Sequence, residues 1–166
     1  MEIIMTKATF KENLEKGQEW ENKFLNILEK KLPSTTNVID NRKFYRDKDN
    51  RKVPDFTLVD SVANKTVYYD AKSKSWYKTK TSKGELKELF TMDSSFVDSY
   101  RSLAEETGSK VYIAFWDKAK DHDHFYVLDV MEPEYDTYLY QNEYTVDNRP
   151  AYRWDRNKMI KRKMEL

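Results

Sequence analysis

The chain lacks cysteine altogether and has little glycine or proline. Without cysteine in its 166 residues, it has neither a disulfide framework nor a thiolate metal site. Three glycines and four prolines are too few for a low-complexity linker of any length. No apolar run approaches the roughly 20 residues of a membrane-spanning helix, and residues 1–7 are too short and too polar for a signal peptide. We therefore expect one soluble, cytoplasmic domain over residues 1–166, with no membrane contact.

An excess of charge of one sign is also missing. Charged residues make up 36% of the chain, yet the formal net charge is only +1. Any basic surface must therefore be local, because the whole molecule is not a polycation. The acidic residues are either gathered in a site or scattered over solvated helix faces.

The hydrophobic pattern predicts an alternation of helices and strands. An amphipathic helix covers residues 9–32 and ends before Pro33. A second helix begins after Asp93 and ends before Gly108. Strands are predicted at 38–45, 54–60, 66–72, 111–116 and 125–130. This order of elements, α-β-β-β-α-β-β, predicts an α/β domain with a mixed central sheet flanked by helices.

The remaining segments have weaker patterns. Residues 47–50 are typical of a turn, 74–83 of a basic loop, and 85–90 of a short helical turn. From residue 131 onward, the pattern favours a strand followed by a terminal helix.

The segments 54–60 and 66–72 carry acids that a strand built only for a core does not need. If Asp60 pairs with Lys65, paired positions sum to 125 and Asp55 lies opposite Asp70. One face of this hairpin is then wholly apolar and consists of Phe56, Leu58, Val67, Tyr69 and Ala71. The other face consists of Asp55, Thr57, Val59, Tyr68, Asp70 and Lys72.

The opposed carboxylates of Asp55 and Asp70 need a reason. Directly opposed Cβ atoms in an antiparallel pair are about 5 Å apart, and like charges at that distance destabilise a sheet. A bound divalent cation reverses the sign of the interaction, and hard oxygen ligands suit Mg²⁺ or Mn²⁺. The alternative is an ordinary solvent-facing sheet surface, on which Asp and Lys are common.

Glu21 is the one carboxylate on the apolar stripe of the first helix. The stripe consists of Phe10, Leu14, Gly17, Glu21, Phe24, Leu25, Leu28 and Leu32. A carboxylate facing a core is costly unless it is paired, protonated or bound to a metal. Either Glu21 pairs with a lysine or arginine, or it points at the polar face of the hairpin, and Gly17 would allow close approach there.

Together, these segments resemble the PD-(D/E)XK nuclease superfamily. Pro54-Asp55 is similar to its first acidic motif, and Asp70-Ala71-Lys72 to its (D/E)-X-K motif. The segment 17–21 is similar to the helix that supplies a further glutamate in Holliday-junction resolvases and their relatives. The resemblance covers residues 9–130, leaving 131–166 as a C-terminal extension. It implies a restriction-endonuclease-like core.

The resemblance also implies an activity and roles for five residues. The activity is that of a metal-dependent endodeoxyribonuclease that hydrolyses phosphodiester bonds with a metal-activated water. Asp55 and Asp70 would ligate Mg²⁺, with Mn²⁺ as a substitute. Glu21 would be a direct or water-mediated ligand, and the Ala71 carbonyl would complete the set. Lys72 would position and polarise the attacking water.

DNA is the expected partner, and two basic clusters are candidates to bind it. One consists of Lys74, Lys78, Lys80 and Lys83, with Trp76 and Tyr77 among them as stacking residues. The other consists of Arg42, Lys43, Arg46, Arg51 and Lys52. Solvated loops of no special function are the alternative for both. A homodimeric junction resolvase of the same fold, and an inactive nucleic-acid-binding module, remain alternatives for the whole chain.

Overall fold

A computed structural model describes residues 7–43, 51–81, 83–140 and 149–164. Its helices are α1 (Lys7–Lys31) and α2 (Ser94–Thr107). Its strands are β1 (Thr36–Asp40), β2 (Phe56–Asp60), β3 (Lys65–Ser73), β4 (Tyr77–Lys80), β5 (Leu86–Asp93), β6 (Lys110–Trp116), β7 (His124–Asp129), β8 (Asp136–Tyr140), β9 (Arg149–Asp155) and β10 (Ile160–Lys163). A short 3-10 turn, Arg156–Lys158, precedes β10. The predicted turn at 47–50 lies outside the described residues.

The central sheet has six strands in the order β1-β2-β3-β6-β7-β10. Strands β3 and β6 are parallel, and every other neighbouring pair in this sheet is antiparallel. Helix α2 makes the crossover between β3 and β6, which a parallel pair requires. The predicted fold class, an α/β domain with a mixed central sheet flanked by helices, is confirmed.

The two helices cover opposite faces of this sheet. Trp20 and Phe24 of α1 pack in one cluster with Phe56, Ala71 and Trp116. The ring nitrogen of Trp20 also donates a hydrogen bond to the carbonyl of Ala114 at 3.0 Å. On the other face, α2 contributes to a cluster made of Val97, Tyr100, Ala104, Val111, Ile113, Phe115 and Leu128, among others. Side-chain alternation along β3 and β6 separates the two clusters.

Helix α2 is bounded as the sequence predicts. The Asp93 carboxylate accepts a hydrogen bond from the Ser95 backbone N–H at 2.8 Å. Gly108 ends the helix in the left-handed region, with φ of 67°, where glycine is favoured. Neither helix in the described ranges is long and apolar enough to cross a membrane.

A second sheet, in the order β4-β5-β9-β8, packs against the α2 side of the molecule. Its buried face contributes Phe90, Met92 and Trp154 to the cluster around α2. Two predictions for this region were wrong, because the loop at 74–83 contains β4 and the helical turn at 85–90 belongs to β5. Leu89 and Phe90 are both buried, on opposite faces of β5, so the strand shows no clean alternation in the sequence.

The C-terminal extension completes both sheets. Strand β9 pairs with β5, and β10 pairs with β7 at the edge of the central sheet. The predicted terminal helix was wrong, because residues 149–163 form β9, the 3-10 turn and β10. The four residues of β10 are exposed and three of them are charged, and they gain their conformation from pairing with β7 rather than from local propensity.

Candidate active site

The hairpin of β2 and β3 has the register that the sequence predicts. Asp60 lies opposite Lys65 and Phe56 lies opposite Tyr69, so paired positions sum to 125. The apolar face packs under α1, where Phe56 and Ala71 are buried. Asp55 and Asp70 lie one position beyond the last regular pair.

Asp55 and Asp70 are held together by reciprocal bonds across the strands. The backbone N–H of Asp55 donates to Asp70 Oδ1 at 3.1 Å. The backbone N–H of Ala71 donates to Asp55 Oδ2 at 2.9 Å. One oxygen of each carboxylate is thereby fixed by the main chain. The Asp70 side chain is only 1% exposed, and its Oδ2 accepts no hydrogen bond within the described residues.

Lys72 is the cation next to this free oxygen. Its Nζ lies 3.3 Å from Asp70 Oδ2, without the geometry of a hydrogen bond to it. Burial by itself would lower the pKa of Lys72, but the charges of Asp70 and Asp55 more than offset it, so the pKa is raised. Lys72 is therefore a cation at neutral pH. It can stabilise negative charge but has no lone pair to take a proton from water.

The pKa of Asp55 is strongly raised in the folded protein. Burial, and then the charge of Asp70, raise the pKa of Asp55 to about 9. At neutral pH, one proton is therefore held on Asp55 unless a cation replaces it. This is the behaviour expected of two like charges confined to one partly desolvated site.

Phe96, in the first turn of α2, is a site residue that the functional reasoning from sequence missed. Lys72 Nζ lies 4.4 Å from the centre of its ring, and Lys52 Nζ lies 3.6 Å from the same centre. Lys52 also donates to Ser95 Oγ at 2.6 Å. Two ammonium groups thus share one aromatic ring, which limits where the Lys72 head group can sit. No local sequence signal joins residues 52, 72 and 96, because only the fold brings them together.

Helix α1 is rotated relative to the predicted stripe. Its buried side chains are Trp20, Phe24, Ile27 and Leu28, whereas Leu14 is 53% exposed. An added Cβ at Gly17 would have no atom of a neighbouring element within 4 Å, so no strand makes the predicted close approach there in the described residues.

Glu21 lies at the border of the buried face of α1 and is half-buried. Burial raises its pKa, while the charges of Arg42 and Lys72 act in the opposite direction. Among the described residues, no lysine or arginine forms an ion pair with it within 4.0 Å. The alternative that Glu21 pairs directly with a lysine or arginine is therefore not seen in the described ranges. Glu21 is instead close enough to Lys72 and Asp70 for their charges to affect its pKa.

For the nuclease activity that the sequence resemblance implies, replacing Glu21 with glutamine should reduce cleavage without weakening the fold. Because burial raises the pKa of Glu21, its ionised form costs stability above that pKa, and a neutral amide removes the cost. We expect an activity loss on the order of tenfold to 100-fold, which is typical when a residue that supports the ligands of a metal is replaced. The melting temperature should be equal or higher.

The matched control is Glu29→Gln, an exposed carboxylate on the same helix. Glu19 is a poor control, because it is half-buried and accepts a bond from Lys118 Nζ at 3.1 Å. Equal activities for the Glu21 and Glu29 variants would remove Glu21 from the site.

The oxygen donors of Asp55 and Asp70 fit the requirements of Mg²⁺. In the parts of the chain that the structure describes, no three His, Cys, Asp or Glu side chains are grouped closely enough to hold an ion alone. Mg²⁺ does not need such a cage, since it typically takes one or two carboxylates and keeps several waters. The buried, unbonded Asp70 Oδ2 beside Asp55 fits that requirement.

Some of the residues predicted to contact nucleic acid are exposed, and others are buried or paired within the protein. Trp76 was wrong as a stacking residue, because it is only 7% exposed and packs against Phe90 and Tyr126. The Arg42 guanidinium donates to both carboxylate oxygens of Asp40 and to Asn22, so it links β1 to α1. Lys43 is exposed. The prediction for Arg46 lies outside the described residues.

Strand alternation divides the first basic cluster further. In β4, Tyr77 and Thr79 point to one face, while Lys78 and Lys80 point to the other. Lys74, Lys78, Lys80 and Lys83 are all exposed. All four are therefore available to a backbone phosphate, but Lys78 and Lys80 do not lie on the same surface as Tyr77.

Replacing Lys78, Lys80 and Lys83 with alanine should weaken DNA binding and flatten its salt dependence. Each lost phosphate contact reduces the slope of log K against log salt by about 0.9 for duplex DNA, so the full change is about 2.7. Binding titrations over a range of salt concentrations measure this slope.

The control for the lysine triple removes the same charge from the exposed residues Lys16, Lys30 and Lys31 of α1. If both triples change the slope equally, general charge rather than a local track determines binding.

Comparisons with known proteins give a structural likeness only. No family model matches the chain, and no curated protein sequence matches it. Among the solved structures that match is Hjc, a Holliday junction resolvase of the archaeal hyperthermophile Archaeoglobus fulgidus. The two chains are 14% identical, 84% of each is covered, and the TM-score is 0.49.

Proposed function

We propose that this protein is a metal-dependent endonuclease that hydrolyses phosphodiester bonds in DNA. One observation carries the proposal. Two carboxylates, Asp55 and Asp70, are locked face to face by the main chain beside a lysine, and one buried oxygen of Asp70 has no hydrogen bond. Lys72 Nζ lies 3.3 Å from that oxygen but makes no hydrogen bond to it, so the oxygen keeps lone pairs that a hard cation can take.

The residues divide the work according to their charge states. Asp55 and Asp70 would hold Mg²⁺ together with the Ala71 carbonyl, with Mn²⁺ as a substitute. Bound there, the ion would supply Lewis-acid stabilisation and lower the pKa of a water molecule. Lys72, a cation at neutral pH, would stabilise the charge that develops on the scissile phosphate. Phe96 would keep the Lys72 ammonium in place. Glu21 would act on the site through its electrostatic interactions with Lys72 and Asp70.

The function is tested by a panel of labelled substrates and metal conditions. Linear duplex DNA, single-stranded DNA, RNA and a four-way junction are each incubated with Mg²⁺, Mn²⁺ or EDTA. We expect cleavage of at least one DNA substrate with either metal and none in EDTA. Undiminished cleavage in EDTA contradicts the mechanism. Binding without cleavage in every metal condition would identify an inactive binding module instead.

The same panel separates the two enzyme alternatives. A junction resolvase should cut the four-way junction in preference to the linear duplex. It should also be a dimer in solution, because two symmetrical strands have to be cut. Sedimentation of the free protein measures the second property independently of activity.

A further inference from the structure

The second sheet has one buried face and one face that lines a cavity. Phe90, Met92 and Trp154 point into the cluster around α2. Their neighbours in sequence alternate to the other face, where Thr91 lies opposite Arg153 across β5 and β9. This other face, together with Lys74 and Ser75 at its end, encloses a cavity of about 640 Å³. We call it the sheet groove.

The sheet groove has an aromatic side chain at each edge. Tyr77, on edge strand β4, is 62% exposed, and Tyr138, on edge strand β8, is 43% exposed. Each ring has a cation on it, since Lys120 Nζ lies 4.7 Å from the Tyr77 ring centre and the Arg153 guanidinium lies 4.8 Å from that of Tyr138. Arg153 is itself fixed by Asp136. The two rings are therefore held in place and still open on their exposed sides.

The groove lining suits a nucleotide chain. Thr79 and Thr91 add hydroxyl groups between the two tyrosines, and Lys74 adds an exposed cation. The one carboxylate of the lining, Asp93, already accepts bonds from the N–H and hydroxyl of Ser95. The volume of the sheet groove lies in the range of pockets that bind small molecules, about 300–1,000 Å³. Aromatic rings with hydroxyls and cations bind unpaired bases by stacking, independently of sequence.

Two residues that line the groove, Lys74 and Asp93, lie close in the chain to residues of the candidate active site. Lys74 follows Lys72 by two residues at the end of β3, and Lys74 lines the groove. On the opposite side, β5 ends at Asp93 in the groove, and the next turn carries Phe96, which contacts Lys72. A strand held in the groove would therefore place a neighbouring phosphate next to Asp70 and Lys72.

We propose that the sheet groove binds an unpaired nucleic-acid strand, with bases stacked on Tyr77 and Tyr138. This inference rests on the proposed nuclease function and specifies its substrate class. The substrate has a scissile phosphate next to a single-stranded segment, as in a flap or a splayed arm. A fully paired duplex has no free base to place on the two rings.

The test is equilibrium binding in EDTA, so that no cleavage occurs. Labelled oligo(dU), oligo(rU) and a duplex of equal length are titrated with the wild type and with the Tyr77→Ala/Tyr138→Ala double variant. Loss of base stacking typically costs about fivefold to 150-fold per base. We expect single-strand binding to weaken about tenfold or more and duplex binding to change less than about twofold. The oligonucleotide that shows the loss identifies the sugar of the bound strand.

Two control variants separate stacking from folding. Tyr77→Phe/Tyr138→Phe keeps both rings and should retain wild-type affinity. Tyr135→Ala removes an exposed tyrosine that does not line the groove, and it should also bind normally. If the double alanine variant binds both single strands as tightly as the wild type, the groove proposal is overturned.

A cleavage assay distinguishes failure of the groove proposal from failure of the proposed nuclease function. On splayed-arm DNA with Mg²⁺, the double alanine variant should lose its preference over blunt duplex while still cutting. Unchanged preference overturns the groove. If the wild type cuts nothing, but single-strand binding still depends on the two rings, the nuclease function is wrong and the groove stands.

Discussion

Replacing Asp70 with asparagine is expected to abolish DNA cleavage, with a loss on the order of 10³-fold or more. Asp70 carries the buried, unbonded oxygen of the site, and an amide oxygen without charge is a much weaker ligand for Mg²⁺. A 10³-fold loss corresponds to about 4 kcal/mol of transition-state stabilisation. Lys72→Ala should cause a loss of similar size, because it removes the cation beside the scissile phosphate. Initial rates at saturating Mg²⁺ measure both effects.

Two controls are matched to these variants in chemistry. Asp123→Asn changes a carboxylate in a turn whose side chain is 88% exposed. Lys65→Ala removes an exposed lysine from the other end of β3. Both should cut DNA at the wild-type rate. If Asp70→Asn keeps more than about a tenth of the wild-type rate while remaining folded, Asp70 is not part of the catalytic site.

Replacing Asp55 with asparagine is expected to stabilise the metal-free protein and to remove its stabilisation by metal. Burial, and then Asp70, raise the pKa of Asp55 to about 9, so its ionised form is unfavourable in the fold. An asparagine can still accept the Ala71 N–H bond, and it carries no charge to oppose that of Asp70. We expect a gain on the order of 1 kcal/mol, or about 2–4 °C in melting temperature.

Metal should reverse this order. A ligand that binds only the folded state stabilises it by about 2.7 kcal/mol at 100 times its Kd. Wild type should therefore gain melting temperature with Mn²⁺, while Asp55→Asn should gain little. Thermal melts of both proteins with and without Mn²⁺ measure the effect, and equal shifts would show that Asp55 is not a ligand.

The pH dependence of the metal-free melts has a defined sign. The pKa of Asp55 is raised from 3.8 to about 9 on folding, so the folded protein binds the extra proton more tightly than the unfolded chain. The stability contributed by that proton is complete below the unfolded pKa and is lost as the pH rises toward about 9. The advantage of Asp55→Asn should therefore be larger at pH 8 than at pH 5. An advantage that stays constant between those two values would contradict the raised pKa.

Much of the central sheet could be predicted from the sequence because its signals are local and mutually consistent. Alternation along 54–60 and 66–72 determines the register, since a shift of one residue would place the apolar set on the wrong face. The cap at Asp93 and the glycine at 108 mark the ends of α2 for the same reason: each satisfies a backbone requirement of its own helix. The opposition of Asp55 and Asp70 follows from the register alone.

Tertiary structure decided the features that depend on residues distant in the chain. The second sheet exists because β9, more than 50 residues further on, pairs with β5, and no local pattern in either segment announces that partner. Packing against Phe90 and Tyr126, both distant in the chain, makes Trp76 a core residue, while its neighbour Tyr77 stays open to solvent. The contact of Lys52 and Lys72 with Phe96 arises in the same way. The residues proposed to carry the chemistry were thus predicted from periodicity. The surface proposed to select a substrate depends instead on long-range strand pairing, whose free energy comes from both paired segments together.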